Sequence, residues 1–397
     1  MDKKISLKYS MFWLFSIATG CMALNQIIRY IPKINLNFEL IYKILLIIIL
    51  AIMTFKLYCK IYLNKINKLF IVLGLCILVS NIYNLISFFD CIISVGWILA
   101  FLYGDAIRRE NGEISVKTNI VIFLLLIIVS IIAVLLNYLG RIYNRTNIIG
   151  VNYTIYFSIP LLVKLQRKEK VLKWECLLFG LLIILSIVSF KRTTLLAVSC
   201  CAIGYFYAKY MTKKRLKYKI NFIGFIFVGV LLGAAALWYT KGYIIERLFE
   251  SLETGGNGRL DIWRQTLKNY KNSNFIELLF GHGYNAVNRA IGLSAHNEFI
   301  EMLYDYGIIG VGIYMIILVE FVKRAFKLKK NRQNLYPVVV CSIIVLLIIS
   351  IFSHVQLYTY VGIPLYAYMG YLVSVKNDKM ENRLNESVNG FLLARGI

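Results

Sequence analysis

Charged residues are scarce in this sequence, at 16% of its 397 positions, against about 25% in an ordinary soluble domain. Such a chain cannot clothe itself in a polar surface, which excludes a soluble fold. Its apolar runs also lack the strict alternation that strands of a membrane barrel require. Proline is rare, with only Pro32, Pro160, Pro337 and Pro364, and these fall in no matching positions of two halves. A secondary transporter tends to carry such paired interruptions, and ionisable groups at mid-membrane as well; neither pattern is present. Histidine occurs three times, as His282, His296 and His354, with no cysteine at ligand spacing, so no metal site is expected. The eight cysteines lie within or at the ends of apolar runs, as small buried hydrophobes rather than a disulfide framework. No small-residue cleavage site follows the first apolar run, 11–28, which reads as a retained span rather than a signal peptide.

What the sequence does have is apolar runs of roughly 17–25 residues, the length that crosses a ~30 Å hydrocarbon layer as a helix. Spans are expected near 11–28, 38–55, 69–88, 91–107, 119–139, 151–165, 174–190, 193–210, 220–239, 300–322, 336–353 and 357–375. The expected fold is an all-α polytopic integral membrane protein of about 12 transmembrane helices. With the N-terminus inside, roughly two-thirds of the 45 lysines and arginines fall on the inner side, which fixes the orientation with both termini cytoplasmic. The net charge of +25 then reflects topology and contact with anionic membrane lipids, not nucleic acid. Residues 1–239 would hold helices 1–9, 240–298 a long extracytoplasmic loop, 299–375 helices 10–12, and 376–397 a cytoplasmic tail.

Loops as long as 240–298 without a domain of their own are uncommon, and they tend to be functional. Ile244, Ile245, Leu248, Phe249 and Leu252 recur at helical spacing, so 241–252 reads as an amphipathic surface helix. After the flexible run 255–258 a second helix is expected from Arg259 to Tyr270, with Asn257 or Gly258 as cap. Its apolar stripe, Leu260, Trp263, Leu267 and Tyr270, would pack down onto the bundle.

The polar groups gather at the outer helix ends: Arg141 and Arg145, then Lys191 and Arg192, then Arg259, Arg264, His282, Arg289 and His296. Guanidinium groups bind phosphate oxygens through paired hydrogen bonds and keep their charge throughout a reaction. A cluster of them at the headgroup level suits a diphosphate carried on a lipid tail. Each has a plainer reading: an ion pair or lipid contact for the arginines, a snorkelling anchor for Arg192, a helix start for His296 and a tight turn for His282 between Gly281 and Gly283. His354 reads as an interfacial histidine rather than a ligand.

Four runs stand in a telling order: Gly258-Arg259 with Trp263, Gly281-His282-Gly283, His296-Asn297, and Tyr306-Gly307 with Gly310. Together, in the long outer loop of a polytopic chain, they resemble the O-antigen ligase and polymerase superfamily, which includes the Wzy-type polymerases of O-antigen and capsular polysaccharide. The resemblance implies a GT-C-like helical architecture in a bacterial cytoplasmic membrane. It implies a metal-independent glycosyltransferase without cofactors, acting on the outer face upon undecaprenyl-diphosphate-linked oligosaccharides, with a chain-length regulator and a flippase as partners.

By motif, Arg192 resembles the family arginine after the seventh span, Arg259 the loop arginine and His296 the His-Asn histidine, while Arg145 and Asn152 fall at the start of the sixth span. Arg192 and Arg259 would then neutralise the departing diphosphate, where charge grows in the transition state, and His296 would orient or deprotonate the acceptor hydroxyl. Glu298 and Glu301 are fallback bases. Arg145, Arg264, Arg289, His282, Asn297, Glu298 and Trp263 are expected to line the diphosphate or glycan. The favoured activity is polymerisation of lipid-linked repeat units. A ligase moving finished glycan to an acceptor is the first alternative, and a lipid-linked oligosaccharide flippase the second.

Overall fold

In lipid a backbone must satisfy its own polar groups, and the helix does so within one segment. Accordingly, the computed structural model, which describes residues 63–111, 128, 131, 179–186, 192–213, 258–331, 335–354 and 359–374, contains helices and no strand among those residues. In chain order they are α1 Lys65–Tyr83, α2 Phe88–Asn111, α3 Arg192–Lys213, α4 Arg259–Lys271, α5 Phe275–Phe280, α6 Ala286–Ile291, α7 Glu298–Asn331, α8 Tyr336–Phe352 and α9 Thr359–Val373. Residues 179–186 are helical as well. Lys65–Tyr83, Phe88–Arg109 and Glu298–Lys329 are long and apolar enough to cross a membrane, and α8 is a shorter apolar helix. The chain is an α-helical membrane protein. The expected spans 11–28, 38–55, 151–165 and 220–239, all but two residues of 119–139, the surface helix 241–252, the tail 376–397 and Arg145 lie outside the described residues.

Between helices in lipid, close packing replaces the hydrophobic effect as the main attraction. The seam of α2 and α9 shows how far this goes. A Cβ on Gly104 would collide with the Ala367 carbonyl, and one on Gly370 with that of Phe101. Only glycine lets these two backbones touch. An aromatic layer ties α1, α2, α7 and α9 together: Phe70 stacks on Phe101 at 3.8 Å between centroids, and Trp97 lies 4.5 Å from Tyr366. On the other side α3 packs on α8, where the Cys201 and Cys341 thiols each donate to the other residue's carbonyl, at 3.5 and 3.4 Å.

Polar side chains mark the two ends of the bundle. At one end Asp105, buried in α2, accepts from Arg109 at 2.8 and 3.2 Å and from Asn67 at 2.8 Å. Nearby Arg324 donates to the Val373 carbonyl, and Lys65 and Lys323 flank Glu320. The other end carries α4, α5 and α6. Their segment joins α7 through Glu298 and is tied down on the turn between α1 and α2, where the Asn84 amide donates to the Gly281 carbonyl at 3.1 Å.

Candidate active site

The Gly-His-Gly run works as a buckle between the loop and the bundle. Gly281 and Gly283 have φ of 78° and 81°, a left-handed region that favours glycine. A Cβ on Gly281 would strike the backbone of Asp305 and Tyr306. Their tight fit lets the His282 and Gly283 N–H groups donate to the Tyr304 and Asp305 carbonyls, at 3.0 and 2.8 Å. Ser80 and Asn81 of α1 complete the joint: Ser80 Oγ donates to the Asp305 carbonyl, and Asn81 Oδ1 accepts the Tyr284 N–H. The Asp305 carboxylate takes the N–H groups of Asn285 and Ala286 at 2.9 Å each, holding the start of α6. One residue after Tyr306, Gly307 breaks α7 with φ of 69°, and its missing side chain makes room for Leu279. The first turns of α7 therefore belong to the loop cap, and the rest of the helix to the bundle.

His296 stands where the cap meets the C-terminal end of α8, and contacts on both sides fix its backbone. Trp263 Nε1–H donates to the Ala295 carbonyl at 2.7 Å, and the Ala295 N–H donates to Glu301 Oε1 at 2.6 Å. Asn297 caps α7, its Oδ1 accepting from Phe299 and Ile300, while its amide donates to the Ile351 carbonyl at 3.2 Å. His296 itself adopts a left-handed φ of 51°, uncommon for a residue with a side chain. Arg259, the first residue of α4, donates through Nη1 to the Phe352 carbonyl at 3.1 Å. Just beyond α8, the ring of His354 stacks on that of His296, with centroids 5.0 Å apart and planes 12° from parallel. Its Nδ1 lies 3.7 Å from Glu301 Oε1. Burial, then the positive neighbours His296 and Arg259, push His354 down to about 3, so its ring is neutral.

Arg259, His296, Asn297 and Trp263 are thus brought together, with Glu301 and His354 beneath them. Arg192 opens α3 at the same end. Tyr207 neighbours Tyr336, Gly204 faces Val340 and Ile344, and Cys201 meets Cys341, so α3 and α8 run antiparallel. At about 1.5 Å per residue this register brings the backbone of Arg192 level with the last turn of α8. Glu298 is buried, near Tyr314 and Tyr366 in the bundle interior.

The remaining residues have other surroundings. Arg264 is on the surface, its side chain 78% exposed and paired with Asp261 at 3.4 Å. His282 contacts Ser273 Oγ at 2.7 Å and packs on Tyr304, and burial lowers its pKa. Arg289 donates to the His282 carbonyl at 2.6 Å. His354 was the residue sequence reasoning passed over. Its only signal was position, a histidine in the first non-helical residues after an apolar span.

Residues 177–315 match a family model described as O-antigen ligase. The matched segment includes α3, the cap helices and the first half of α7, and so contains Arg192, Arg259, His296 and Glu301 while ending before His354. Compared with curated proteins, the chain has no match.

Proposed function

Because residues 177–315 place this chain in the O-antigen ligase superfamily, which covers ligases and related polymerases, we propose that it is a polysaccharide polymerase of the bacterial cytoplasmic membrane. It joins undecaprenyl-diphosphate-linked oligosaccharide repeat units on the outer face, within a bundle of about twelve spans, and needs no metal. The observation that carries the reading is the convergence of Arg259, His296 and Asn297 where the loop cap meets the end of α8.

In the proposed reaction the acceptor hydroxyl oxygen attacks the anomeric carbon of the donor sugar. The bond from that carbon to the diphosphate oxygen breaks, and the electron pair leaves with the diphosphate. Arg259, with Arg192 at the same end, neutralises the charge gathering on that leaving group, the point at which fixed donors speed a transfer most. His296 takes the hydroxyl proton as the new glycosidic bond forms. The lipid tail stays in the bilayer beside the bundle, so the site needs to enclose only the diphosphate and the sugars next to it.

A ligase that moves finished glycan from the same carrier to an acceptor is the second reading, favoured by the description of the matching family. Deletion of the gene followed by gel sizing of surface and lipid-linked glycan separates the two. Loss of long polymer, with single repeat units still reaching their final acceptor, supports the polymerase. Full-length polymer stranded on the carrier supports the ligase, and glycan trapped on the cytoplasmic side would overturn both in favour of a flippase. Arg192→Ala and Arg259→Ala are each expected to abolish polymer while the protein stays in the membrane.

A further inference from the structure

Behind His296 the structure stacks two groups that the proposed reaction leaves unused. His296 is partly exposed, the His354 ring beneath it is buried, and Glu301 beneath that is buried in turn. Glu301 touches both parts of the arrangement. Its Oε1 accepts the N–H of Ala295, the residue before His296, and lies 3.7 Å from His354 Nδ1. The second oxygen, Oε2, is buried without a hydrogen-bond partner among the described residues. A buried acid of this kind costs stability unless something uses it. Glu301 belongs to the first turn of α7, beside the capping Asn297, yet the cap is already supplied by Asn297 Oδ1.

We propose that Glu301 and His354 are positioning residues for His296, holding its ring in place and stabilising the imidazolium it becomes on taking the acceptor's proton. This rests on the glycosyl-transfer reading given above. The neutral His354 ring offers its face to the cation forming on His296. Burial lifts the Glu301 carboxyl to about 7, and above that pH its carboxylate supplies the opposite charge from behind. The proton passes from the acceptor hydroxyl to His296, not on to His354 or Glu301, and His296 releases it to solvent after the product departs. Other charged groups around the pair are Arg259 of α4, which opposes a cation at His296, and, on α7, Glu298 and Asp305, the latter one turn beyond Glu301 and acting on it.

The test measures His296 directly as well as activity. Full-length protein in lipid nanodiscs is carbethoxylated with diethyl pyrocarbonate over a range of pH, and the modification of the His296 peptide is followed by mass spectrometry. In Glu301→Gln the midpoint should fall by about one pH unit, the lower end of what a nearby opposite charge contributes. In His354→Phe the stacked face remains but the link to Glu301 is cut, and the midpoint should fall too. Transfer from a lipid-linked repeat unit should drop at least tenfold in kcat in both variants, with KM changed less than twofold and the acidic limb of the pH profile moved down. His354→Asn, which keeps a polar atom toward Glu301 without the ring, should recover the midpoint but not the rate. An unchanged midpoint in both Glu301→Gln and His354→Phe overturns the proposal, whatever happens to activity. If the wild-type protein transfers no sugar while the midpoints shift as stated, the coupling stands and the reading of the reaction fails.

Discussion

Two glycines on the same helix should respond in opposite ways to the same substitution. Gly307 sits at the break in α7 with φ of 69°, and a Cβ there would overlap the Leu279 carbonyl and the Phe280 nitrogen at 2.6 Å. Alanine at φ 69° and ψ −174°, a region essentially reserved for glycine, costs about 1–3 kcal/mol. Displacing packed neighbours adds about 1–3 kcal/mol, so Gly307→Ala should destabilise by roughly 2–6 kcal/mol. Gly312, one and a half turns on, has nothing within 4 Å of its would-be Cβ. There Gly→Ala should stabilise by up to about 1 kcal/mol through helix propensity. The two variants should therefore melt on the order of 10 °C apart. A thiol-reactive dye followed during heating reads this out, because Cys76, Cys201 and Cys341 are buried until the bundle opens. The first turns of α7 carry Glu301 and follow His296, so Gly307→Ala should also lose glycan transfer at temperatures where it is still folded. Equal melting of the two variants would refute the account of the kink, and full transfer by a destabilised Gly307→Ala would refute its link to the site.

Trp263→Phe removes the donor to the Ala295 carbonyl and should cost about 1–3 kcal/mol of local stability, seen as faster amide exchange over 293–297 in hydrogen-exchange mass spectrometry. His354 gives a pH signature. An unfolded histidine titrates near 6.5 and the folded one near 3, so below about pH 6.5 the unfolded chain binds a proton that the folded chain refuses. Stability should be full above that pH and fall by up to about 1.4 kcal/mol per unit as pH drops toward 3; His354→Phe should flatten the melting temperature over this range, and an unaltered slope would contradict the burial. Arg259→Gln removes the charge and, being two bonds shorter, the reach to the Phe352 carbonyl; it should lose about 10²–10³ in kcat in a transfer assay, as when a transition-state donor is lost elsewhere.

The apolar runs announced the helices well. The spans expected at 69–88, 91–107, 193–210, 300–322, 336–353 and 357–375 fall on helices α1, α2, α3, α7, α8 and α9 to within a few residues at most ends, and of these α1, α2 and α7 are long and apolar enough to cross a membrane. Membrane spans are legible because one solvent imposes one length and one polarity along a continuous segment. The cap was less so. The helix expected from Arg259 to Tyr270 is α4, Arg259–Lys271, but its packed face includes Ile262, Trp263 and Tyr270, while Leu260 and Leu267 of the expected stripe are 43% and 38% exposed. Short elements such as α5 and α6 owe their form to the Asn274 capping box and to Asp305, contacts of a few atoms that leave no periodic trace. The break at Gly307 was hidden for the opposite reason: apolar residues continue across it, and only the collision with Leu279 shows why glycine is required. Likewise Arg264, Arg289 and His282 carry the same chemistry as Arg259 and His296 on paper. What separates them is the direction in which the cap presents each one.

The position of the cluster follows from a requirement of the fold. A helix that ends at the membrane surface leaves its last carbonyls without intrahelical donors. At the C-terminal end of α8 the Ile351 and Phe352 carbonyls are met by Asn297 and Arg259, donors that come from the cap of α7 and from α4 rather than from α8 itself. Satisfying those carbonyls therefore pins the loop cap to the bundle at one point, and the residues doing so bracket His296 and His354. Function gains a rigid setting without a separate scaffold, because the groups that close the end of α8 are the ones that would face the substrate. The cost is that Arg259 serves both needs, so its loss to alanine mixes a weakened joint with a missing charge. The closeness of Asn297 to the same joint then makes the His-Asn pair a structural as well as a chemical unit: the asparagine fixes where the histidine stands over the end of α8.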